Sequence, residues 1–405
     1  MNTYHWIEKE NQLLAHNYHP IPVVLTKGEG VWLWDIENKR YLDMMSAYSA
    51  VSHGHCHPEL IQVLQQQSQQ LCVCSRAFHS DQLLPLAEKL CQISGLDAIL
   101  PMNTGAEAVE TAVKAARRWG YQVKGIPKDK AEIIVMKDNF HGRTVTITSF
   151  STEEAYRDGF GPFTPGFKVV PFGDIEALKQ AITPNTCAIL AEPMQGEAGV
   201  LIPPVGYLKA VREVSQANRV LLLLDEIQTG LGRTGKWFAY QHEHIQPDGV
   251  IVGKALGGGI LPVSAFIAKK ELMSVFTPGS HGSTFGGNPL ACRIARHALE
   301  IMERDQYVEN SAVLGEYLLA GLKSIESKAI QAIRGKGLWI GLEINPKVIP
   351  ARTVCEKLMQ QGILSKEAHE TVIRFAPPLI IDKSTLDWAL GRIKDTFAIL
   401  GSKAA

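Results

Sequence analysis

Between residues 130 and 255 the chain repeats one pattern: a short apolar run, then polar or helix-periodic sequence. Glu132–Met136, Lys168–Pro171, Ala188–Ala191, Val220–Leu224 and Gly249–Val252 have the length and apolar content of strands. Ile175–Ile182 and Tyr207–Gln216 fall between some of them and carry helical spacing. Strands alternating with helices predict βαβ units and a mainly parallel sheet. Ahead of this block, Pro20, Pro22, Gly28 and Gly30 precede Val31–Asp35, which predicts extended chain and a small hairpin. After Pro289 the pattern changes to a long helix, Leu290–Arg304, then further helices and short strands such as Leu338–Ile344. The expected organisation is residues 51–290 as a large α/β domain and 291–405 as a smaller α+β domain. Residues 1–50 are expected to pack with the small domain.

Length and charge narrow the function. A chain of 405 residues is long enough for two packed domains. Its 41 basic and 41 acidic residues cancel, so no global field draws it to nucleic acid or an anionic membrane. A small molecule is the expected partner. The aliphatic runs are too short to cross a bilayer, and Met1–Trp6 does not open a secretion or transit signal. Seven scattered cysteines read as reduced thiols, which predicts a cytoplasmic location.

Two motifs point elsewhere. Gly230-Leu231-Gly232-Arg233-Thr234-Gly235 matches G-x-G-x-x-G and, with Lys236, most of a P-loop, the basis for a nucleotide-binding alternative. Asp225–Thr229 separates it from its strand, and Trp237 stands where a P-loop needs Ser or Thr, so a flexible turn is the preferred reading. His53-Gly54-His55-Cys56-His57-Pro58 resembles a metal tract, but no second ligand cluster accompanies it. A hydrogen-bonded loop ended by Pro58 is expected, with no metal. Cys72-Val73-Cys74 lacks a partner pair and is expected to pack.

Three features carry chemistry together. Asn103-Thr104-Gly105-Ala106-Glu107 opens a helix whose Val109, Ala112, Val113, Ala116 and Trp119 share a face. Small residues there leave backbone N–H groups free for a phosphate, although an ordinary capped helix has the same pattern. Leu221–Leu224 runs straight into Asp225, as strand-end acids at a ligand crevice do; a capping or solvated acid is the alternative. Gly249–Val252 leads to Gly253-Lys254 and then Gly257-Gly258-Gly259. A lysine placed there is expected to be desolvated, which makes its amine nucleophilic; a solvated, free lysine is the alternative. A phosphate cradle, an acid and such a lysine suit pyridoxal 5'-phosphate.

With these residues in place, the sequence resembles the class-III aminotransferases of the fold-type-I scaffold over almost its whole length. The likeness rests on His16–Pro20, Ser46–Val51, Asn103–Glu110, Phe140–Thr144, Glu192–Val200, Asp225–Gly235, Gly282–Pro289 and Arg374–Leu379. It departs at Cys72-Val73-Cys74 and at Leu261, which bear on pocket shape. The resemblance implies a large domain with a seven-stranded, mainly parallel sheet. It implies Lys254 as the Schiff-base lysine and Asp225 as partner of the pyridinium nitrogen. Gly105 and Ala106 would hold the phosphate, joined by Thr284 and Ser283 from a second subunit, so a homodimer or larger is expected. Phe140, Ile227 and Gln228 would contact the ring. Tyr18, Tyr48 and Arg143 would bind the amino donor. Arg374 would bind a second carboxylate, with Glu197 neutralising it in turn; a static ion pair is the alternative. Within the family the ornithine-using branch is implied: L-ornithine and 2-oxoglutarate in, glutamate 5-semialdehyde and L-glutamate out. N-acetylornithine and 4-aminobutyrate are the rival donors.

Overall fold

The computed structural model describes residues 2–402. Strands β1 (Leu25–Glu29), β2 (Trp32–Asp35) and β3 (Arg40–Asp43) open the chain. Next come β4 (Ala98–Met102), β5 (Glu132–Met136), β6 (Phe167–Val170), β7 (Thr186–Ala191), β8 (Leu221–Asp225), β9 (Gly249–Val252) and β10 (Ser264–Ala268). The last are β11 (Ile330–Gly335), β12 (Ile340–Ile344), β13 (Ile363–Leu364), β14 (Lys366–Ala368) and β15 (Val372–Phe375).

The middle group forms a seven-stranded sheet in the order β4-β10-β9-β8-β7-β5-β6. It is parallel from β9 to β6, as the alternating pattern predicts. Strand β10 alone runs against its neighbours β4 and β9. The five predicted strands agree with β5 to β9 to within two residues at each end. The apolar runs did not reveal β4 and β10. Pro101 lies inside β4, and a strand tolerates proline at a sheet edge, which is where β4 sits.

Side-chain alternation divides the sheet between two cores. Ile134, Ile189, Leu222, Leu224, Val250 and Ile267 face one, together with the helix Pro289–Arg304. Ile133, Leu190, Leu223, Ile251 and Phe266 face the other, against the helix Gly105–Trp119. Each fully buried Leu or Ile contributes roughly 1.5–3 kcal/mol of transfer free energy, so the sheet centre is the most firmly held part of the chain. The Gly105–Trp119 helix starts with a Thr104–Glu107 capping box and ends with Arg117 and Arg118, which suit its dipole. All five predicted face residues, Val109 to Trp119, are buried.

Two four-stranded sheets flank this one. In the first, β1, β2 and β3 are antiparallel and β13 joins β3 in parallel, so the N-terminal and C-terminal parts share a sheet. The other has the antiparallel order β11-β12-β15-β14 and carries Arg374 on β15. Among the described residues no helix is long and apolar enough to cross a membrane.

The Gly230–Gly235 segment is not a loose turn. Arg233 is fully buried and donates to the Leu338 and Pro377 carbonyls at 3.0 and 2.6 Å and to Ser52 Oγ at 3.1 Å. No phosphate-binding helix follows it; the next helical turn is the short Ala239–Glu243. The three histidines of the His53–His57 tract diverge. His53 Nε2 meets the Ala298 carbonyl at 2.9 Å, His55 Nε2 meets Asp43 at 2.8 Å, and His57 stands at the N-cap position of the helix Pro58–Ser68 without a side-chain cap bond. Cys72 is exposed rather than packed.

Candidate active site

Parallel strands present their carboxyl ends on one side of a sheet, and crevices there are the usual ligand sites of open α/β folds. A cavity of about 170 Å³ opens at that side. Its lining comes from the segments that leave β4, β5, β7, β8 and β9: Gly105 and Ala106, Phe140 to Gly142, Glu192 and Glu197, Asp225 and Ile227 to Thr229, and Lys254.

Lys254 lies just past β9, with φ of 44° at the head of a one-turn 3-10 helix. Its amine has no hydrogen-bond partner among the described residues. Burial holds it below the usual lysine range, against the opposing pull of Glu197. Asp225 is the last residue of β8 and is 4% exposed. Its Oδ2 lies 2.7 Å from His141 Nδ1, and its Oδ1 accepts the Ile227 N–H at 3.0 Å. Burial opposes charge on the His141 ring, but the bond to Asp225 outweighs it and the pKa is raised. Glu192 is buried beside this pair. Its oxygens accept the Phe140 N–H at 3.0 Å and the Gly196 N–H at 3.4 Å. Burial lifts its carboxyl to about 7.

Glu197 closes another side. Its Oε1 receives Arg374 Nη1 at 2.6 Å. Burial pushes its pKa up, yet the Arg374 charge wins and holds it below the ordinary carboxyl range. Gln228 Nε2 reaches both Glu197 Oε1 and the Tyr48 carbonyl at 3.4 Å. Gly196 makes this approach possible, because a Cβ there would fall 1.6 Å from Gln228 Oε1. The Arg374 guanidinium lies 5.0 Å from the centre of the Tyr48 ring.

The structure thus gathers Gly105, Ala106, Phe140, Glu197, Asp225, Ile227, Gln228 and Lys254 around one cavity, with Arg374 and Tyr48 behind it. The other candidates lie outside. Tyr18 is 62% exposed and shares a neighbouring hollow with Tyr48. Arg143 is exposed, its guanidinium 4.2 Å from the Tyr156 ring centre. Ser283 is tied within its own chain, accepting from Asn103 Nδ2 at 2.7 Å, and Thr284 faces outward.

Sequence reasoning did not single out His141 and Glu192. Glu192 follows the buried run Ala188–Ala191 just as Asp225 follows Leu221–Leu224, so the same strand-into-acid signal was present. His141 answers the need of a buried carboxylate for a donor, which spacing does not disclose.

The residues fit pyridoxal phosphate. A part-buried amine without a hydrogen-bond partner suits its aldehyde, a strand-end acid suits its ring nitrogen, and N-terminal helix amides at Gly105 and Ala106 suit its phosphate.

Known proteins show the same design. The chain is 58% identical to an ornithine aminotransferase of Brevibacillus brevis over 393 residues, covering 97% of this chain and 98% of the relative. The solved ornithine aminotransferase of Toxoplasma gondii superposes with a TM-score of 0.98 at 40% identity, over 100% of this chain and 96% of that one. The acetylornithine aminotransferase of Elizabethkingia anophelis gives 0.90 at 42% identity, over 98% and 100%. The family model for "Aminotransferase class-III" matches residues 13–397, nearly the full length that folds around the lysine cavity. On that span and those identities, this chain belongs to the class-III aminotransferases.

Proposed function

We propose that this chain uses pyridoxal phosphate to move the δ-amino group of L-ornithine to 2-oxoglutarate. The products are glutamate 5-semialdehyde, which cyclises to pyrroline-5-carboxylate, and L-glutamate. The observation that carries the reading is the Arg374–Glu197 pair, 2.6 Å apart at the wall of the lysine cavity. The reacting carbon of ornithine bears no carboxylate, so a free Arg374 beside it would be an unmatched buried charge. Glu197 cancels that charge. The oxo acid reacts at a carbon next to a carboxylate, which needs the Arg374 fork. One cavity then serves both substrates if Glu197 releases Arg374 between them.

Bound pyridoxal phosphate supplies an aldehyde that captures amines and a ring that accepts the electron pair left when a C–H bond breaks. Lys254 holds the aldehyde until substrate arrives. Its Nζ, whose charged form burial disfavours, would then carry the proton from the substrate carbon to the cofactor carbon. Asp225, held by His141, keeps the ring nitrogen protonated. Gly105 and Ala106 grip the phosphate, with Ser283 and Thr284 of a second copy. Phe140 and Ile227 hold the ring by apolar contact, and Gln228 bonds its hydroxyl. Arg143 takes the α-carboxylate of ornithine and Tyr18 its α-amine, while Tyr48 shapes the pocket. In this reading residues 51–290 form the cofactor-binding unit, and 1–50 pack with 291–405. The protein works in the cytoplasm as a homodimer or larger assembly, between arginine breakdown and proline supply.

The likeness to an acetylornithine aminotransferase favours a second reading, in which the donor is α-N-acetylated. Amino-donor profiling of the holoenzyme with 2-oxoglutarate separates the two. Ornithine is expected to give pyrroline-5-carboxylate with kcat/KM at least tenfold above N-acetylornithine and 4-aminobutyrate. A preference for either of the others overturns the assignment.

A further inference from the structure

We propose that Asp43 and His55 are positioning residues for the dicarboxylate substrate: they clamp a left-handed turn, Ser46–Ser49, that sets Tyr48 against Arg374. The choice of ligand rests on the reading above.

The turn is unusual. Ser46, Ala47, Tyr48 and Ser49 have φ of 49°, 46°, 59° and 71°, and none is glycine. L-residues visit this region singly, because the Cβ crowds the following carbonyl. A run of four persists only where its surroundings over-determine it.

Those surroundings centre on one carboxylate. Asp43 Oδ1 accepts the Met45 N–H at 2.9 Å and the Ser46 N–H at 2.8 Å. Its Oδ2 lies 2.8 Å from His55 Nε2. The His55 backbone is fixed in turn by paired bonds to Gly30, at 2.7 and 3.1 Å. Gly28 gives the imidazole its seat, since a Cβ at Gly28 would stand 2.7 Å from His55 Cβ. Beyond the carboxylate, Ser46 Oγ donates to the Ala376 carbonyl at 2.6 Å, and the Ala376 N–H donates to the Met44 carbonyl at 2.7 Å. Ala376 is two residues past Arg374 on the same extended segment. The turn is thereby stitched to the strand that bears the arginine.

Tyr48 is the third residue of the turn. Its ring lies under the Arg374 guanidinium, and its carbonyl takes the Gln228 amide that also reaches Glu197. A guanidinium freed from Glu197 needs a surface to lie flat on while it forks onto a carboxylate, and the Tyr48 ring supplies it. Without Asp43 the turn relaxes, the ring withdraws, and the arginine loses its backing. Arg143, on the segment after β5, shares none of these bonds.

Calorimetric titration of the purified holoenzyme with glutarate, an unreactive dicarboxylate, reads the effect directly. Asp43→Ala is expected to weaken glutarate binding about tenfold, the loss of one cation–π support, and to raise the 2-oxoglutarate KM alike. Because Tyr48 also shapes the amino-donor pocket, the ornithine KM should rise too, but by clearly less than the glutarate Kd. Asp43→Asn keeps an acceptor for both amides and should restore the affinity. Equal losses for glutarate and ornithine, or glutarate binding left as in the wild type, overturn the proposal. If Asp43→Ala does not fold, His55→Ala decides by the same two readouts, with about a threefold effect expected. The titration needs no ornithine. A wild-type enzyme inert toward ornithine therefore overturns the substrate reading and leaves this test standing.

Discussion

The site has two ends, the lysine cavity and the open surface outside it, and they are built by different means. At one end, Asp225 terminates a fully buried strand, Lys254 follows another, and His141 and Glu192 are packed beside them. Each polar group there is placed by the sheet itself. At the other end, Tyr18 and Arg143 stand exposed on irregular segments, and Thr284 faces outward. Tyr48 is brought against Arg374 only by a strained turn. Precision is cheap where a group is attached to a packed core, and it must be assembled where the group hangs from loops. The buried end suits a reaction step common to many substrates, and the open end suits the choice among them.

The largest expected effect tests the buried end. Lys254→Ala should lower turnover by about 10⁴-fold or more, since it removes both the covalent anchor and the proton carrier. The visible absorption of the cofactor–lysine linkage should disappear, while the melting temperature of the protein without cofactor stays close to wild type. Turnover within tenfold of wild type would show that the sheet end is not where the chemistry occurs.

Next in size is a pH effect. Burial raises Glu192 from the ordinary 4.5 to about 7, with His141 opposing. A raised carboxyl is favoured in its protonated form by folding. The stabilisation it gives is complete below pH 4.5 and drains away as pH rises through about 7. Glu192→Gln fixes the neutral state. The unfolding free energy of the variant relative to wild type should therefore climb by up to about 3 kcal/mol between pH 4.5 and 8. Urea titrations at the two pH values measure it. A pH-independent difference would mean that Glu192 is charged in the folded protein throughout.

The smallest effect belongs to the open end. Tyr18→Phe should raise the ornithine KM about fivefold through one lost hydrogen bond, about 1 kcal/mol. Stability should be unchanged, because the residue is exposed. A fall in melting temperature of several degrees would assign Tyr18 to packing and erase the contrast between the ends.

This contrast also governs what the sequence disclosed. Strands β5, β7, β8 and β9 were legible because burial on both faces demands unbroken apolar runs. Lys254 and Asp225 were legible because each ends such a run. Strand β10 was not, since Ser264 and Ala265 weaken the apolar signal of so short a segment. The partnership of Arg374 with Glu197, 177 residues apart, came from resemblance to a family and not from any local pattern. The left-handed turn at Ser46–Ser49 left no trace at all: nothing in Ser-Ala-Tyr-Ser announces positive φ, because the cause lies in Asp43 and in distant Ala376. Arg233 was hidden for a similar reason. A glycine-rich segment reads as loose until the side chain that fills the core is seen.

The reversal of β10 has a mechanical result. Parallel neighbours require a long crossover, usually a helix, whereas antiparallel neighbours can be joined by a short return. Because β10 runs back beside β9, the segment Gly253–Val263 is a brief loop moored at both ends to fully buried strands. The reactive amine is therefore a fixed post and not a rider on a mobile helix. The rim can be recut for a new amino donor while the post keeps its place.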